Sequence, residues 1–254
     1  MHHFFVDRSS IEGDIIRIEG EDRHHAVDVL RVRTGEELLV SDGEGTDYVC
    51  TVTDPGQEEL ILSVRERLRS DNELSSEVWL FQGMPKSDKL ELIIQKATEL
   101  GVSHIVPVMT KNTVVKLDER KLPQKLSRWS SIAEAAAKQS KRSVIPQIHE
   151  LMKLTEALEL AEGFEVSVIP YEHEEGIESL CEAITGFIPG RRIGIFIGPE
   201  GGFDRLEIKL AEHKGVLPVS LGKRILRTET AAIAVLSLVM IRLEIAESMF
   251  NKEE

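Results

Sequence analysis

The sequence predicts an α/β protein, with a small N-terminal β-barrel followed by a mostly parallel sheet that carries helices on both faces. Three observations predict it. Residues 1 to about 70 fall into short β-rich runs with turn signals and little helix. From Val78 onward, apolar strands alternate with helical periodicities, the pattern of a parallel sheet with crossover helices. Two late apolar strands then break into glycine-containing loops that enter helices, at Ile195–Phe203 and Ser220–Ala231.

Five strand candidates fill the first region: Phe4–Val6, Ile15–Ile18, Glu37–Val40, Tyr48–Val52 and Leu60–Val64. Asp42-Gly43 and Pro55-Gly56 punctuate them as turns, and a short helix is expected from His24 to Leu30. Closely spaced strands of this kind suggest a barrel. The polar stretch from Arg65 to Glu77 marks a boundary, giving domains 1–72 and 73–254.

Val78–Gln82 opens the second domain as a strand. Leu90, Ile93, Ile94, Ala97 and Leu100 recur at helical spacing, and Gly101 stops that helix. His104–Val108 is the next strand. Pro123 begins a helix whose inner face holds Leu126, Trp129, Ile132, Ala133 and Ala136. A helix over Lys153–Ala161 and a buried strand over Val166–Ile169 follow. Strands at Arg192–Ile197 and Leu217–Ser220 and a helix over Thr228–Met249 complete the set. Asp204 with Glu207 three residues on forms a capping box for a helix over Arg205–Lys214.

With 254 residues, 41% of them hydrophobic, the chain has enough material for one large or two modest domains. Cys50 and Cys181 lie far apart without CxxC spacing, so neither a disulfide framework nor a zinc signature is present, as suits a reducing cytoplasm. No signal-peptide pattern opens the sequence. The longest apolar run, Ala231–Ile241, is shorter than the ~20 residues of a membrane span. A soluble cytoplasmic protein is expected.

A net charge of −13 argues against nucleic acid until its distribution is considered. Glu150–Glu182 holds ten Glu and one Lys. Lys111–Arg142 holds nine basic residues (Lys116 among them) against Asp118, Glu119 and Glu134. Arg23, Arg31 and Arg33 form a smaller basic group, as do Lys223, Arg224 and Arg227. Segregated basic faces bind phosphate backbones with an affinity that falls as salt rises. Solvated helix faces would give the same pattern. His24-His25 lacks further ligands at metal spacing, so no metal is expected.

The two glycine loops carry the chemistry. Two such loops at the carboxyl ends of neighbouring strands make a crevice into which a ligand fits against bare backbone. Gly198-Pro199-Glu200-Gly201-Gly202 lacks the Gly-Lys-Ser/Thr of a P-loop and does not match GxGxxG; a purely structural turn is its plain alternative. In Leu221–Thr230, Lys223, Arg224 and Arg227 interleave with Ile225 and Leu226, which suits a flat heterocycle; the alternative is a cationic loop with two core anchors.

These two strings, IGPEGGF and SLGKRILRTETA, with Gln139–Arg142 and the opening Met1–Val6, closely resemble the bacterial 16S ribosomal RNA uridine-N3 methyltransferases of the SPOUT class, over essentially the whole chain. The resemblance implies a PUA-like RNA-binding barrel and a methyltransferase domain with a deep trefoil knot at roughly 166–235, although general topology rules disfavour knots. It implies S-adenosyl-L-methionine held by three loops. The first comprises Ile169, Pro170 and Tyr171, and the second Ile197, Gly198, Pro199, Glu200, Gly201 and Gly202. The third runs from Ser220 through Leu221, Gly222, Ile225 and Leu226 to Arg227. It further implies a homodimer acting on 16S rRNA within the 30S subunit. The chain departs from relatives at Asn112-Thr113, where Arg followed by a small residue is common. It also places lysines at 138 and 141, where Glu or Cys, and Gly, are frequent.

Methylating uridine N3 needs alignment with a sulfonium methyl and removal of the N3 proton. Arg227 and Arg142 are the candidates for stabilising the developing negative charge or positioning a phosphate. Glu229 or Glu200 is the candidate proton acceptor, though a Glu at a helix start also serves the helix dipole. Candidate RNA contacts are Arg23, Arg31, Arg33, Lys111, Lys138, Lys141, Arg142 and Arg224. A ribose 2′-O-methyltransferase of the same fold and a non-catalytic rRNA-binding assembly protein are the rival readings. A nucleotide-dependent oxidoreductase would need a fingerprint loop that is absent.

Overall fold

A computed structural model describes residues 1–115, 119–174 and 176–250, so Lys116 and Asp118 of the basic stretch and Glu175 of the acidic one lie outside the described residues. The chain divides into two compact units, Met1–Glu73 with Ala137–Ile145, and Leu74–Ala136 with Pro146–Glu254.

In the first unit, β1 (His2–Phe5), β2 (Ile11–Glu12), β3 (Ile15–Glu19), β4 (Glu37–Ser41), β5 (Thr46–Pro55) and β6 (Glu59–Arg69) form one sheet in the order β1-β4-β5-β6-β3-β2. β1 runs parallel to β4 and the other pairs are antiparallel, so the sheet is mixed. Alternate residues point to one face, the two-residue period of a strand. Phe4 from β1, Ile16 and Ile18 from β3, Leu38 and Val40 from β4, and Leu60 and Leu62 from β6 meet in one buried cluster. Residues from opposite ends of the sheet share that core, so the sheet curls over it. Among the described residues, no ladder joins β1 to β2 to close it.

The expected helix at His24–Leu30 is displaced. Gly20, at φ +63°, turns the chain straight out of β3 into α1 (Gly20–His24), and a single π-helical turn, His25–Val29, continues it. Ala26 faces the core while Val29 is left outside, and Arg31 ends the turn in the left-handed region at φ +58°.

Residues 137–145, expected in the second domain, count with the first unit. A buried polar network explains why. Glu73 accepts hydrogen bonds from Arg142 Nε at 3.0 Å and from the backbone N–H groups of Ser143 and Val144 at 2.9 and 3.1 Å. Ser143 Oγ donates to Asp47 at 2.7 Å, and Asp47 in turn meets Ser41. Arg142 is 3% exposed. Arg142, expected in the reaction or on RNA, thus lies buried and paired, its guanidinium holding this segment against Glu73.

The second unit contains β7 (Glu77–Gly83), α2 (Lys89–Glu99), β8 (His104–Met109), α3 (Leu122–Ser140, whose last four residues count with the first unit), β9 (Gln147–Ile148), β10 (Met152–Lys153), α4 (Leu154–Ala161), β11 (Val166–Pro170), α5 (Glu178–Thr185), β12 (Arg192–Ile197), α6 (Arg205–His213), β13 (Leu217–Val219) and α7 (Thr228–Phe250). Its sheet is parallel throughout, in the order β10-β8-β7-β12-β11-β13, with β9 beside β8. Parallel strands covered on both faces read as unbroken apolar runs. Accordingly Trp79, Phe81 and Phe196 join a cluster with α4 and α6, while the alternate residues Val78, Leu80, Ile193 and Ile195 are buried as well. The capping box of Asp204 and Glu207 starts α6 as the spacing predicted. Helix α5 had not been foreseen, because its amphipathic stretch is short and sits inside an acid-rich segment.

Register aligns the carboxyl ends of the central strands. Ile197 of β12 pairs with Gln82 of β7, and Pro170 of β11 pairs with Val219 of β13. The loops that leave these ends therefore start side by side.

Candidate functional site

Those loops enclose a cavity of about 990 Å³. Its lining takes Pro170 and Tyr171 from the first loop, Ile197, Gly198, Pro199, Glu200 and Gly202 from the second, and the whole of Ser220–Arg227 from the third. The volume lies at the upper end of the roughly 300–1,000 Å³ of small-ligand pockets. It accommodates more than one flat ring.

The second loop is fixed by close backbone approach. Gly202 donates from its N–H to the Pro199 carbonyl at 2.9 Å and has φ +63°, a conformation that costs a side-chain-bearing residue energy. A Cβ on Gly83, at the end of β7, would lie 2.6 Å from Pro199 Cδ and 2.7 Å from Pro199 N. Only glycine lets β7 and this loop meet. Asn112 Nδ2 donates to the Gly201 carbonyl at 2.9 Å and to that of Gly202 at 3.3 Å. The departure at 112 thus has a definite local job.

Thr228, the first residue of α7, ties the loops to the sheet. Its hydroxyl donates to the Gly198 carbonyl at 2.6 Å and accepts from Gln82 Nε2 at 2.9 Å. Both side chains are buried. Glu200 accepts from the Lys86 backbone N–H at 3.1 Å and pairs with Lys89 Nζ at 2.9 Å, and the same nitrogen lies 3.5 Å from Glu229 Oε2. Burial disfavours the Glu200 charge, but the hydrogen bonds from Lys89 and the Lys86 amide outweigh it and hold the carboxyl below its usual range. Lys89 is raised above its ordinary value, first by its bond to Glu200.

The third loop is built differently. Gly222 sits at φ +97° with open space where a Cβ would be, and Arg224 and Arg227 are exposed. Ile225 is 85% exposed although it lines the cavity, so the core-anchor alternative for it does not hold.

Of the residues predicted to bind cofactor, Ile169 and Gly201 do not line the cavity. Ile169 is wholly buried in β11, and Gly201 points its carbonyl at Asn112. Glu229 is absent from the lining and meets the site through Lys89. Sequence reasoning missed Lys89, Glu172, Glu174, Phe203 and Ala231, all in the lining, and the supports Gly83, Gln82 and Thr228. A glycine ending the apolar strand at 83 was the available signal for one of them.

The expected RNA contacts separate into free and engaged groups. Arg31, Arg33, Lys141 and Arg224 are exposed, and Lys141 adopts φ +60°. Arg23 is pinned to the Gly56 carbonyl at 2.7 Å and to Asp28. Lys138 is paired with Asp22 and Lys111 with Asp204.

The family model described as RNA methyltransferase domain matches residues 72–240, and that described as RNA methyltransferase PUA domain matches 18–65. The chain is 34% identical to ribosomal RNA small subunit methyltransferase E of Bacillus subtilis over 96% of this chain and 98% of that one. It is 31% identical to the Mycobacterium tuberculosis protein of the same name, over 93% and 90%. Among solved structures, the Neisseria gonorrhoeae ribosomal RNA small subunit methyltransferase E bound to S-adenosyl methionine superposes with a TM-score of 0.82 at 27% identity, covering 95% of this chain and 97% of that one. A putative methyltransferase of Legionella pneumophila, in complex with the same cofactor, gives 0.82 at 28% identity, covering 94% and 96%. With an RNA-methyltransferase PUA domain on a mixed sheet, then a parallel α/β domain, and full-length identity above 30%, the chain belongs to the ribosomal RNA small subunit methyltransferase E family.

Proposed function

We propose that this protein transfers the methyl group of S-adenosyl-L-methionine to N3 of a uridine in 16S rRNA, on the 30S subunit, in the cytoplasm. The observation that carries the reading is the cavity at the ends of β11, β12 and β13, walled by the Gly198–Gly202 and Ser220–Arg227 loops. The residues present fit the cofactor. Ile197 and Leu226 offer apolar walls to a purine, and Gly202 and Gly222 leave open space where side chains would intrude. Glu172 and Glu174 place negative charge beside a cationic tail. When bound, the cofactor supplies an electrophilic methyl group. The relatives solved with S-adenosylmethionine support the same choice.

Arg227 lines the cavity from an exposed position and stabilises negative charge on the pyrimidine as the N3 proton leaves. Glu229, which stands behind the lining, takes that proton through an intervening water. Glu200 is the weaker candidate, because Lys89 and the Lys86 amide already occupy its oxygens. In the first unit, Arg31 and Arg33 are free to meet phosphates, which position an RNA without reading its sequence. The three loops belong to a trefoil knot in this reading. The protein works as a homodimer, for which the exposed stripe Ile241, Ile245 and Met249 on α7 offers an apolar face.

The test is incubation with labelled S-adenosyl-L-methionine and unmodified 30S particles, followed by mass spectrometry of the nucleosides. N3-methyluridine is the expected product. A label on ribose, or no transfer to RNA, would overturn the assignment.

A further inference from the structure

We propose that Lys89 is a positioning residue that lets the second and third cofactor loops lie together by neutralising the facing carboxylates of Glu200 and Glu229. The inference rests on the reading of the cavity as a cofactor site. Glu200 stands at the tip of the second loop, and Glu229 is the second residue of α7, directly after the third. One nitrogen, Lys89 Nζ, lies 2.9 Å from a Glu200 oxygen and 3.5 Å from a Glu229 oxygen. Lys89 itself lines the cavity.

Three features mark the arrangement as built for the cleft. Lys89 opens α2, where the helix dipole favours a negative side chain, so a lysine there works against the helix that carries it. Two residues earlier, Ser87 adopts φ +55°, a conformation that costs a residue with a side chain energy and recurs at functional sites. That strained turn aims both the Lys86 amide and the Lys89 ammonium at Glu200. Finally, Glu229 Oε2 is buried and accepts no hydrogen bond among the described residues, which leaves the ammonium as its charge partner. The Glu229 side chain is only 16% exposed, so solvent screens the pair less than it would a surface ion pair.

Removing the ammonium leaves two carboxylates facing one another in a partly enclosed space. Like charges at such range repel, and the loops that carry them are free to separate. The cleft would widen and hold the cofactor less tightly. Lys89 thus acts through the loops, with no bond to the reacting atoms required.

The experiment is calorimetric titration of S-adenosyl-L-methionine into wild type, Lys89→Met, Lys89→Arg and the double variant Lys89→Met with Glu229→Gln, each checked for folding by thermal unfolding. Lys89→Met is expected to raise Kd about tenfold or more, by analogy with leaving a partly buried charge unpaired. Lys89→Arg keeps the charge and is expected to stay within about threefold of wild type. The double variant, relieved of one carboxylate charge, should also return to within about threefold. Lys89→Met binding like wild type, or the double variant binding as weakly as the single one, would overturn this role of Lys89 and leave the cofactor reading intact. A wild-type protein that binds no S-adenosyl-L-methionine would overturn both. If Lys89→Met does not fold, the other two variants decide: binding near wild type in both supports the role, and loss of binding in either sinks it.

Discussion

The second and third loops wall one cavity but are held in opposite ways. Pro199, Gly201 and Gly202 are fixed by the closeness of Gly83, by Asn112, and by Thr228 bonding to Gly198. The third loop has Gly222 in open space, Ile225 85% exposed, and three exposed cationic residues. A small ligand needs walls that do not yield, because ordering them on binding would subtract from affinity. A macromolecular ligand needs exposed charge and apolar surface. On the proposed reading, the second loop is a preformed wall for the cofactor, while the third lends Gly222 and Leu226 to that wall and keeps its exposed side chains, Arg224 and Ile225 among them, for RNA.

The strongest way to break this contrast is to unlock the second loop from the sheet. Gly83→Val places a branched side chain where even a Cβ would lie 2.6 Å from Pro199 Cδ and 2.7 Å from Pro199 N. Backbone cannot yield as a flexible side chain can, so the loop must move. Overpacking of this kind destabilises by ~1–3 kcal/mol. The expected outcome is a lowered unfolding temperature and, in calorimetry, no measurable binding of S-adenosyl-L-methionine at micromolar concentration. Unchanged affinity would mean that the second loop does not shape the cofactor site.

Changes at the open side should separate chemistry from cofactor binding. Arg227→Ala and Glu229→Gln are expected to lower kcat by roughly 100-fold each, the scale of removing one group that stabilises developing charge or moves a proton. Cofactor affinity should shift by no more than about threefold in either. Single-turnover methylation of 30S particles at saturating cofactor reads the effect. Should both variants methylate at the wild-type rate, the assignment of these two side chains fails.

How much of this was legible in the sequence follows the same division. Strand and helix order could be read because apolar runs and 3.6-residue spacing are local signals; β7, α2, β8, β12 and α7 fall where Val78, Leu90, His104, Arg192 and Thr228 indicate. The glycine loops could be read because glycine permits backbone that other residues resist. Partners across long separations could not. Arg142 and Glu73 lie 69 residues apart, so nothing local distinguished the reaction or RNA role expected of Arg142 from burial against a carboxylate. Lys89 likewise carries no local signal, since its significance depends on Glu200 and Glu229, more than a hundred positions later. The π-helical turn at His25–Val29 left no composition signal.

The smallest expected effects come from a matched pair, one residue at each loop. Asn112→Ala removes the amide that donates to the Gly201 and Gly202 carbonyls at 2.9 and 3.3 Å. Two neutral hydrogen bonds to a part-exposed backbone are worth about 1 kcal/mol net, because water replaces much of what is lost. A rise in the S-adenosyl-L-methionine Kd of about fivefold follows, with little change in the methylation rate at saturating cofactor. Ile225→Ser changes a side chain that is 85% exposed, so stability should move by less than about 0.5 kcal/mol. Its effect should fall on the RNA side, as a KM for 30S particles raised about threefold while the cofactor Kd stays put. The two variants thus sort by which constant moves. If Ile225→Ser instead weakens the cofactor and Asn112→Ala weakens the RNA, the division between the locked cofactor wall and the exposed third-loop side chains fails.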